Sequence, residues 1–352
     1  MKNILIIDDS ALMRRVLCDI INSSGTMKVT EMAKDGIQAL EILEKSDFDA
    51  IILDINMPRM NGIEFLEELK AKNKHYKVVV ASTDTADGAA VTIKALELGA
   101  FDFIQKPKNT LDARGDSFKN RFISILQTAV DSKANGELSA TPLFREKQKD
   151  ENATYKKANG RKLVALCCST GGPKALQHVI PKLPKNLAAP VLLVQHMPAG
   201  FTESLASRLD SLSEVHVVEA QEGDTLQNGF VYISAGGRHL RYKDTHLGGM
   251  IYYSNENPRE GVKPSANYMY ESIADCKHYD EIVCVVLTGM GADGTAGIRM
   301  LAQHNKIHVI AQNEETCTVY GMPKMIAQTG LVNEVVALDD IAQVIIKNVG
   351  VI

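Results

Sequence analysis

Three residues in the second half of this 352-residue chain are of the types that carry acyl transfer. Ser169 follows the apolar run at 163–167 and opens into Thr-Gly-Gly. His196 follows the run at 191–195, and Asp293 lies in Thr288-Gly-Met-Gly-Ala-Asp-Gly294 after the run at 283–287. A strand entering a glycine turn and then a helix projects a serine Oγ from the sheet edge, beside main-chain N–H groups that can bind an anion. In a parallel sheet these strand ends open on one side, so the three meet as nucleophile, base and orienting carboxylate. Their chain order, Ser…His…Asp, differs from the Ser…Asp…His of α/β-hydrolases. Each also has a plainer use: Ser169 as a helix N-cap, His196 as a satisfied buried histidine, Asp293 as the cap of a helix near Thr295. A rival reading takes Gly289-Met-Gly291-Ala-Asp-Gly294 as a dinucleotide fingerprint, with Glu314 20 residues beyond Gly294. Asp293 speaks against it by putting a carboxylate inside the loop meant to cradle a pyrophosphate. No complete pair of nucleotide-binding halves follows it either.

The first half carries a different chemistry. Asp8 and Asp9 follow an apolar run at 4–7, and Asp54 follows one at 51–53. In a five-stranded doubly wound sheet of order 2-1-3-4-5, strands 1 and 3 flank the topological switch point, so all three acids converge on one crevice. Like charges there repel unless a cation intervenes, and an oxygen-rich site of this kind suits Mg²⁺. Lys106, before Pro107, brings a positive charge to the same edge, and Ser82 a hydroxyl. The alternative is that Asp8 and Asp9 cap the helix starting near Ala11 and Asp54 merely ends a strand.

Both sets need α/β scaffolds. Apolar runs at 4–7, 29–32, 50–53, 78–81 and 101–105 alternate with amphipathic stretches at 11–22, 36–44, 62–70, 89–98 and 118–130. Five such alternations predict a flavodoxin-like (βα)5 domain with a parallel sheet covered on both faces. Runs at 163–167, 191–195, 283–287 and 308–311 predict a second doubly wound, mostly parallel α/β domain. A hairpin interrupts it at 240–254, with Gly248-Gly249 at the turn. Between the halves, 133–160 is polar and without period, which predicts a flexible linker joining domains at 1–132 and 161–352.

Composition excludes other classes. Residues 1–132 hold 17 Lys+Arg against 20 Asp+Glu, and residues 161–352 hold 16 against 19, so neither domain has the basic surplus of a nucleic-acid binder. No stretch reaches the ~18 apolar residues of a membrane span. The N-terminus lacks the apolar core of a signal peptide, which predicts a cytoplasmic protein without membrane insertion. Six cysteines without a C-x-x-C pair read as reduced, structural thiols.

Asp8-Asp9-Ser, Asp54-Ile-Asn-Met-Pro-Arg-Met-Asn-Gly62, Ser82 and Lys106-Pro107 resemble the receiver domain of two-component response regulators. The resemblance implies that Asp54 takes a phosphoryl group from a histidine kinase. Mg²⁺ would be held by Asp9, Asp54 and the main chain at Asn56, with Asp8 alongside. Lys106 would pair with the phosphoryl oxygens and Ser82 would hydrogen-bond one of them. Phe103 falls where that family places a rotating aromatic, or is a plain core phenylalanine.

The whole chain resembles the CheB family, chemotaxis response regulators that are protein-glutamate methylesterases. The motifs are Ser169-Thr-Gly-Gly, Gln195-His-Met-Pro-Ala-Gly-Phe-Thr202, Thr288-Gly-Met-Gly-Ala-Asp-Gly294, and Ala311-Gln-Asn-Glu with Tyr320-Gly-Met-Pro323. The resemblance implies Ser169 as nucleophile, His196 as base, Asp293 as its orienter and Thr170 as a neighbour placing the imidazole. The main-chain N–H of Met290 would serve the oxyanion. It implies demethylation of methylated glutamates on chemoreceptors without a cofactor for ester hydrolysis, an accompanying glutamine deamidation, and activation by phosphorylation. Three departures stand out. Cys167-Cys168 replaces a small pair and adds an oxidisable thiol beside the site, Ala292 replaces the commoner Asn, and Asn267 replaces an acid in Lys263-Pro-Ser-Ala-Asn267. The alternative function is a catalytically weak, phosphorylation-dependent binding module. A transcriptional regulator has no terminal helix-turn-helix pattern to support it.

Overall fold

The structure, a computed structural model, describes residues 1–82, 85–107, 115–132, 159–246 and 248–352. The chain divides into two compact units, Met1–Glu137 and Leu138–Ile352. The expected linker lies outside the described residues except for its last two, which are exposed.

In the first unit, β1 (Lys2–Ile7), β2 (Met27–Ala33), β3 (Ala50–Asp54), β4 (Val78–Ser82) and β5 (Asp102–Gln105) form one parallel sheet in the order β2-β1-β3-β4-β5. Helices α1 (Ala11–Asn22), α2 (Gly36–Leu43), α3 (Gly62–Ala71), α4 (Ala86–Glu97) and α5 (Asp116–Asp131) connect and flank the strands. The central strands are uninterrupted apolar runs because both faces are covered: Ile4–Ile7, Ile51–Leu53 and Val78–Val80 are all buried. α1 starts where Ser10 accepts a hydrogen bond from the Met13 N–H, at 3.3 Å. Asp8 and Asp9 are therefore not its caps. α3 starts with a reciprocal capping box between Asn61 and Glu64.

The second unit is built on a seven-stranded parallel sheet ordered β14-β13-β12-β6-β7-β9-β8. Its strands are β6 (Lys162–Cys168), β7 (Val191–Gln195), β8 (His216–Glu219), β9 (Phe230–Ile233), β12 (Glu281–Val286), β13 (Ile307–Gln312) and β14 (Glu334–Val336). Around it lie α6 (Gly172–Val179), α7 (Phe201–Leu212), α8 (Ala266–Ile273), α9 (Thr295–His304), α10 (Met322–Ala327) and α11 (Ile341–Val349). The hairpin forms a separate antiparallel pair, β10 (His239–Thr245) with β11 (Gly248–Ser254). One detail of its expectation is corrected. Thr245 pairs with Gly248, so Gly248-Gly249 begin β11 and are not the turn. Gly249 has a different use there, since a Cβ on it would lie 2.4 Å from the Tyr242 ring across the ladder. Among the described residues no helix is long and apolar enough to cross a membrane.

Candidate active site and acidic cluster

β12, β6 and β7 are neighbours in the sheet, so their carboxyl ends bring Asp293, Ser169 and His196 to one edge. The ends are also tied directly. Ser169 N–H donates to the Thr288 carbonyl at 3.0 Å, and His196 N–H donates to the Cys168 carbonyl at 3.3 Å. Buried Gln195 completes the tie. Its amide nitrogen donates to the carbonyls of Ser169 (3.1 Å) and His196 (3.3 Å), while its oxygen accepts from the Cys168 thiol (3.0 Å). The expected motif contained Gln195, but nothing in its residue type announced this clamp.

None of the three expected site residues is a helix cap. The residue before α6 is Gly171, at φ +78° and packed so closely on Thr318 that any Cβ would collide. That turn leaves half-buried Ser169 at the sheet edge. The residue before α9 is Gly294, not Asp293. Asp293 instead faces the start of α8. Its Oδ1 accepts from Ser265 Oγ (2.7 Å) and Asn267 N–H (3.1 Å), and its Oδ2 accepts from Ala266 N–H (2.6 Å). Oδ2 also meets His196 Nε2 at 2.7 Å. Burial alone would raise the Asp293 pKa, but the bonds from His196, Ser265 and Ala266 together hold it below the usual carboxylate range. The carboxylate that a dinucleotide loop could not tolerate thus occupies the positive end of α8 itself.

With Nε2 on the carboxylate, His196 keeps its second nitrogen, Nδ1, buried and without a hydrogen-bond partner among the described residues. A buried imidazole nitrogen without a partner is costly in a resting core.

The loop after β12 packs on Ser169: a Cβ on Gly289 would lie 2.8 Å from the Ser169 Cβ. The Gly289 carbonyl accepts from Gly321 N–H (3.1 Å) and Met322 N–H (2.8 Å), so the Tyr320-Gly-Met-Pro323 motif braces the segment carrying Met290. Met290 itself is 38% exposed. Thr170 is buried, and its carbonyl accepts from Thr288 Oγ1 at 3.0 Å. The neighbouring thiols are not the oxidation-prone groups expected. Cys167 and Cys168 are fully buried, and burial pushes the first up to about 12 and the second well above its ordinary value. Burial therefore favours the protonated thiol at both.

In the first unit, carboxylate oxygens of Asp8, Asp9 and Asp54 lie within 4.8 Å of one another. Asp8 and Asp54 are buried and Asp9 is exposed. Lys106 Nζ bridges Asp8 and Asp54, each at 2.8 Å. Burial raises the Asp54 pKa, the Lys106 charge pulls it back in part, and Asp8 adds to the rise. Burial disfavours the Lys106 charge, yet the two carboxylates prevail and raise its pKa. The Asn56 main-chain N–H donates to Asp54, which lowers its pKa in turn. Ser82 is buried, accepts from Thr92 Oγ1 at 2.5 Å and donates to the Gly88 carbonyl at 3.3 Å, and Phe103 is buried in β5. An all-oxygen set with one exposed member is the donor chemistry of a hard divalent cation.

Comparison with known proteins finds matches for both halves of the chain. The sequence profile of the response regulator receiver domain matches residues 4–114, and that of CheB methylesterase matches residues 164–345. A protein-glutamate methylesterase/protein-glutamine glutaminase of Bacillus subtilis (strain 168) is 39% identical over 347 residues, covering 97% of each chain. One of Pyrococcus abyssi is 41% identical over 353 residues, covering 99% of this chain and 94% of that one. The crystal structure of the Thermotoga maritima CheB methylesterase catalytic domain matches with a TM-score of 0.51 at 39% identity, covering 54% of this chain and 99% of that one.

Proposed function

The chain belongs to the CheB family, and we propose that its protein-glutamate methylesterase/protein-glutamine glutaminase activity runs through Ser169, His196 and Asp293 under control of Asp54. The single observation that carries the triad is the one-sided imidazole, with Nε2 held by Asp293 at 2.7 Å and Nδ1 unpartnered. Ser169 Oγ attacks the γ-ester carbonyl of a methylated glutamate, and His196 Nδ1 takes its proton. The oxyanion forms against the main-chain N–H of Met290. Collapse breaks the ester bond, and methanol leaves with the proton returned by His196. Water, deprotonated by the same nitrogen, cleaves the acyl-enzyme to glutamate and frees Ser169. With a glutamine side chain the leaving group is ammonia. Asp293 holds the tautomer with hydrogen on Nε2, and Thr170 steadies the loop beside the imidazole.

In the receiver, Asp54 is the phosphoryl acceptor and a histidine kinase the donor. Asp9, Asp54 and the Asn56 carbonyl would hold Mg²⁺, with Asp8 alongside. The ion supplies charge neutralisation for the incoming phosphoryl oxygens. Lys106 would bind one of those oxygens, Ser82 would hydrogen-bond another, and Phe103 would follow the change in β5 and its neighbours. The receiver spans 1–132, the linker 133–160 and the catalytic domain 161–352. The substrates are methylated chemoreceptors, and the work is done in the cytoplasm, in keeping with six free buried thiols. A fluorophosphonate probe tests the triad. It labels Ser169 in the wild type and fails to label Ser169→Ala or His196→Ala. Equal labelling of all three overturns the assignment.

A further inference from the structure

Asn267 is fully buried at the start of α8, and its side chain points back across the site. Its amide oxygen accepts from Gly294 N–H at 3.1 Å and Gly297 N–H at 2.7 Å, the open end of α9. α9 has no side-chain cap of its own. Asp293, the residue before Gly294, meanwhile binds the open end of α8 through Ala266 and Asn267. The two helices therefore cap each other, each with a side chain from the other's starting segment. They can do so only because they touch: a Cβ on Gly297 would lie 2.7 Å from the Asn267 carbonyl.

We infer that Asn267 is a positioning residue for the esterase, holding the turn at 294–297 so that Asp293 faces His196, and that its neutral amide sets the charge around that pair. The inference rests on the triad reading above. The amide nitrogen donates to Glu260 Oε1 at 3.3 Å, so the side chain satisfies a carboxylate on one side and two N–H groups on the other. An aspartate could keep the two N–H bonds but would set a carboxylate against Glu260 and add a second negative charge beside Asp293. The surrounding groups are few. Arg259 lies near Asp293 and is paired with Glu271 at 2.5 Å. His239 uses Nδ1 to accept from Ser265 N–H at 3.1 Å, and Cys167 and Tyr270 are buried beside the carboxylate with raised pKa values. None supplies a free positive charge to offset a new carboxylate at 267.

The test is the pH profile of methanol release by the full chain, for wild type, Asn267→Asp, Asn267→Ala and Ser169→Ala, with folding checked by thermal melting. N267D keeps the cap on α9 but melts lower than wild type, because its buried carboxylate faces Glu260 and Asp293 without a compensating cation, so its profile is read at a temperature where the melt shows it folded. The acidic limb of its kcat/KM profile moves up by about one pH unit, since a nearby negative charge favours the imidazolium. N267A lowers kcat on the order of tenfold or more with KM unchanged, as expected when a catalytic group loses its aim. A folded N267D with the wild-type limb, or a folded N267A with wild-type kcat, overturns the inference. Activity in S169A would overturn the triad reading instead, so the two failures are distinct.

Discussion

Asp293→Asn is the substitution whose consequences follow most completely from the geometry. The carboxylate accepts four bonds: Oδ1 from Ser265 Oγ and Asn267 N–H, and Oδ2 from Ala266 N–H and His196 Nε2. An asparagine has one oxygen and one NH₂, and neither orientation suits this set. With NH₂ at the Oδ2 position it meets the Ala266 N–H, donor against donor, and pushes the imidazole toward the tautomer with hydrogen on Nδ1. That tautomer cannot take a proton from Ser169. With NH₂ at the Oδ1 position, the Asn267 N–H is the orphan. Either way one buried donor is unsatisfied, which costs about 1–3 kcal/mol. In a domain of this size that lowers Tm by roughly 2–4 °C per kcal/mol. The catalytic loss is larger, on the order of 10³–10⁴-fold in kcat, from the lost imidazolium partner and wrong tautomer. Methanol release from a methylated substrate and a thermal melt read the two effects separately. D293N with activity within tenfold of wild type and an unchanged Tm would refute the arrangement.

Two further predictions use the buried titratable groups. Cys167 and Cys168, held protonated by burial, resist iodoacetamide at pH 8 in the native protein and react only after guanidinium unfolding. Labelling of either in the folded chain at the rate of a free thiol would contradict their placement. Asp54→Asn removes a carboxylate whose folded pKa lies above the ordinary 3.8. Between those values the native state holds more protons than the unfolded one, so stability falls as pH rises through them. At neutral pH D54N therefore melts higher than wild type, and the gain shrinks as pH drops toward 3.8. A variant that melts lower at pH 7 and recovers in acid reverses the sign and the argument.

Much of this was readable from residue patterns because the site residues stand at the ends of uninterrupted apolar strands. Asp8, Asp54, Ser169, His196 and Asp293 each follow such a run, and a parallel sheet has only one carboxyl edge on which they can meet. What escaped notice lacked that signal. β8 and β14 are short edge strands whose exposed positions break the apolar run, and β9 is only four residues long. The hairpin turn was displaced because a Gly-Gly pair fits a tight turn, yet here it makes room for the Tyr242 ring. Gln195 and Asn267 act through hydrogen bonds to main chain 26 and 30 residues away, at Ser169 and Gly297, and Ser265 through one to the Asp293 carboxylate 28 residues away. No local spacing encodes such partners. The cysteine pair misled for a related reason, since adjacency to a nucleophile in sequence says nothing of which way a thiol faces.

Methanol release from methylated receptor membranes, measured with Mg²⁺ before and after a small phosphodonor, bears most directly on the claim that Asp54 governs a Ser169 esterase. Wild type releases methanol slowly and accelerates on phosphodonor addition, Asp54→Ala stays at the slow rate, and Ser169→Ala releases none under either condition. Wild-type release from S169A, or full acceleration of D54A, would contradict the account.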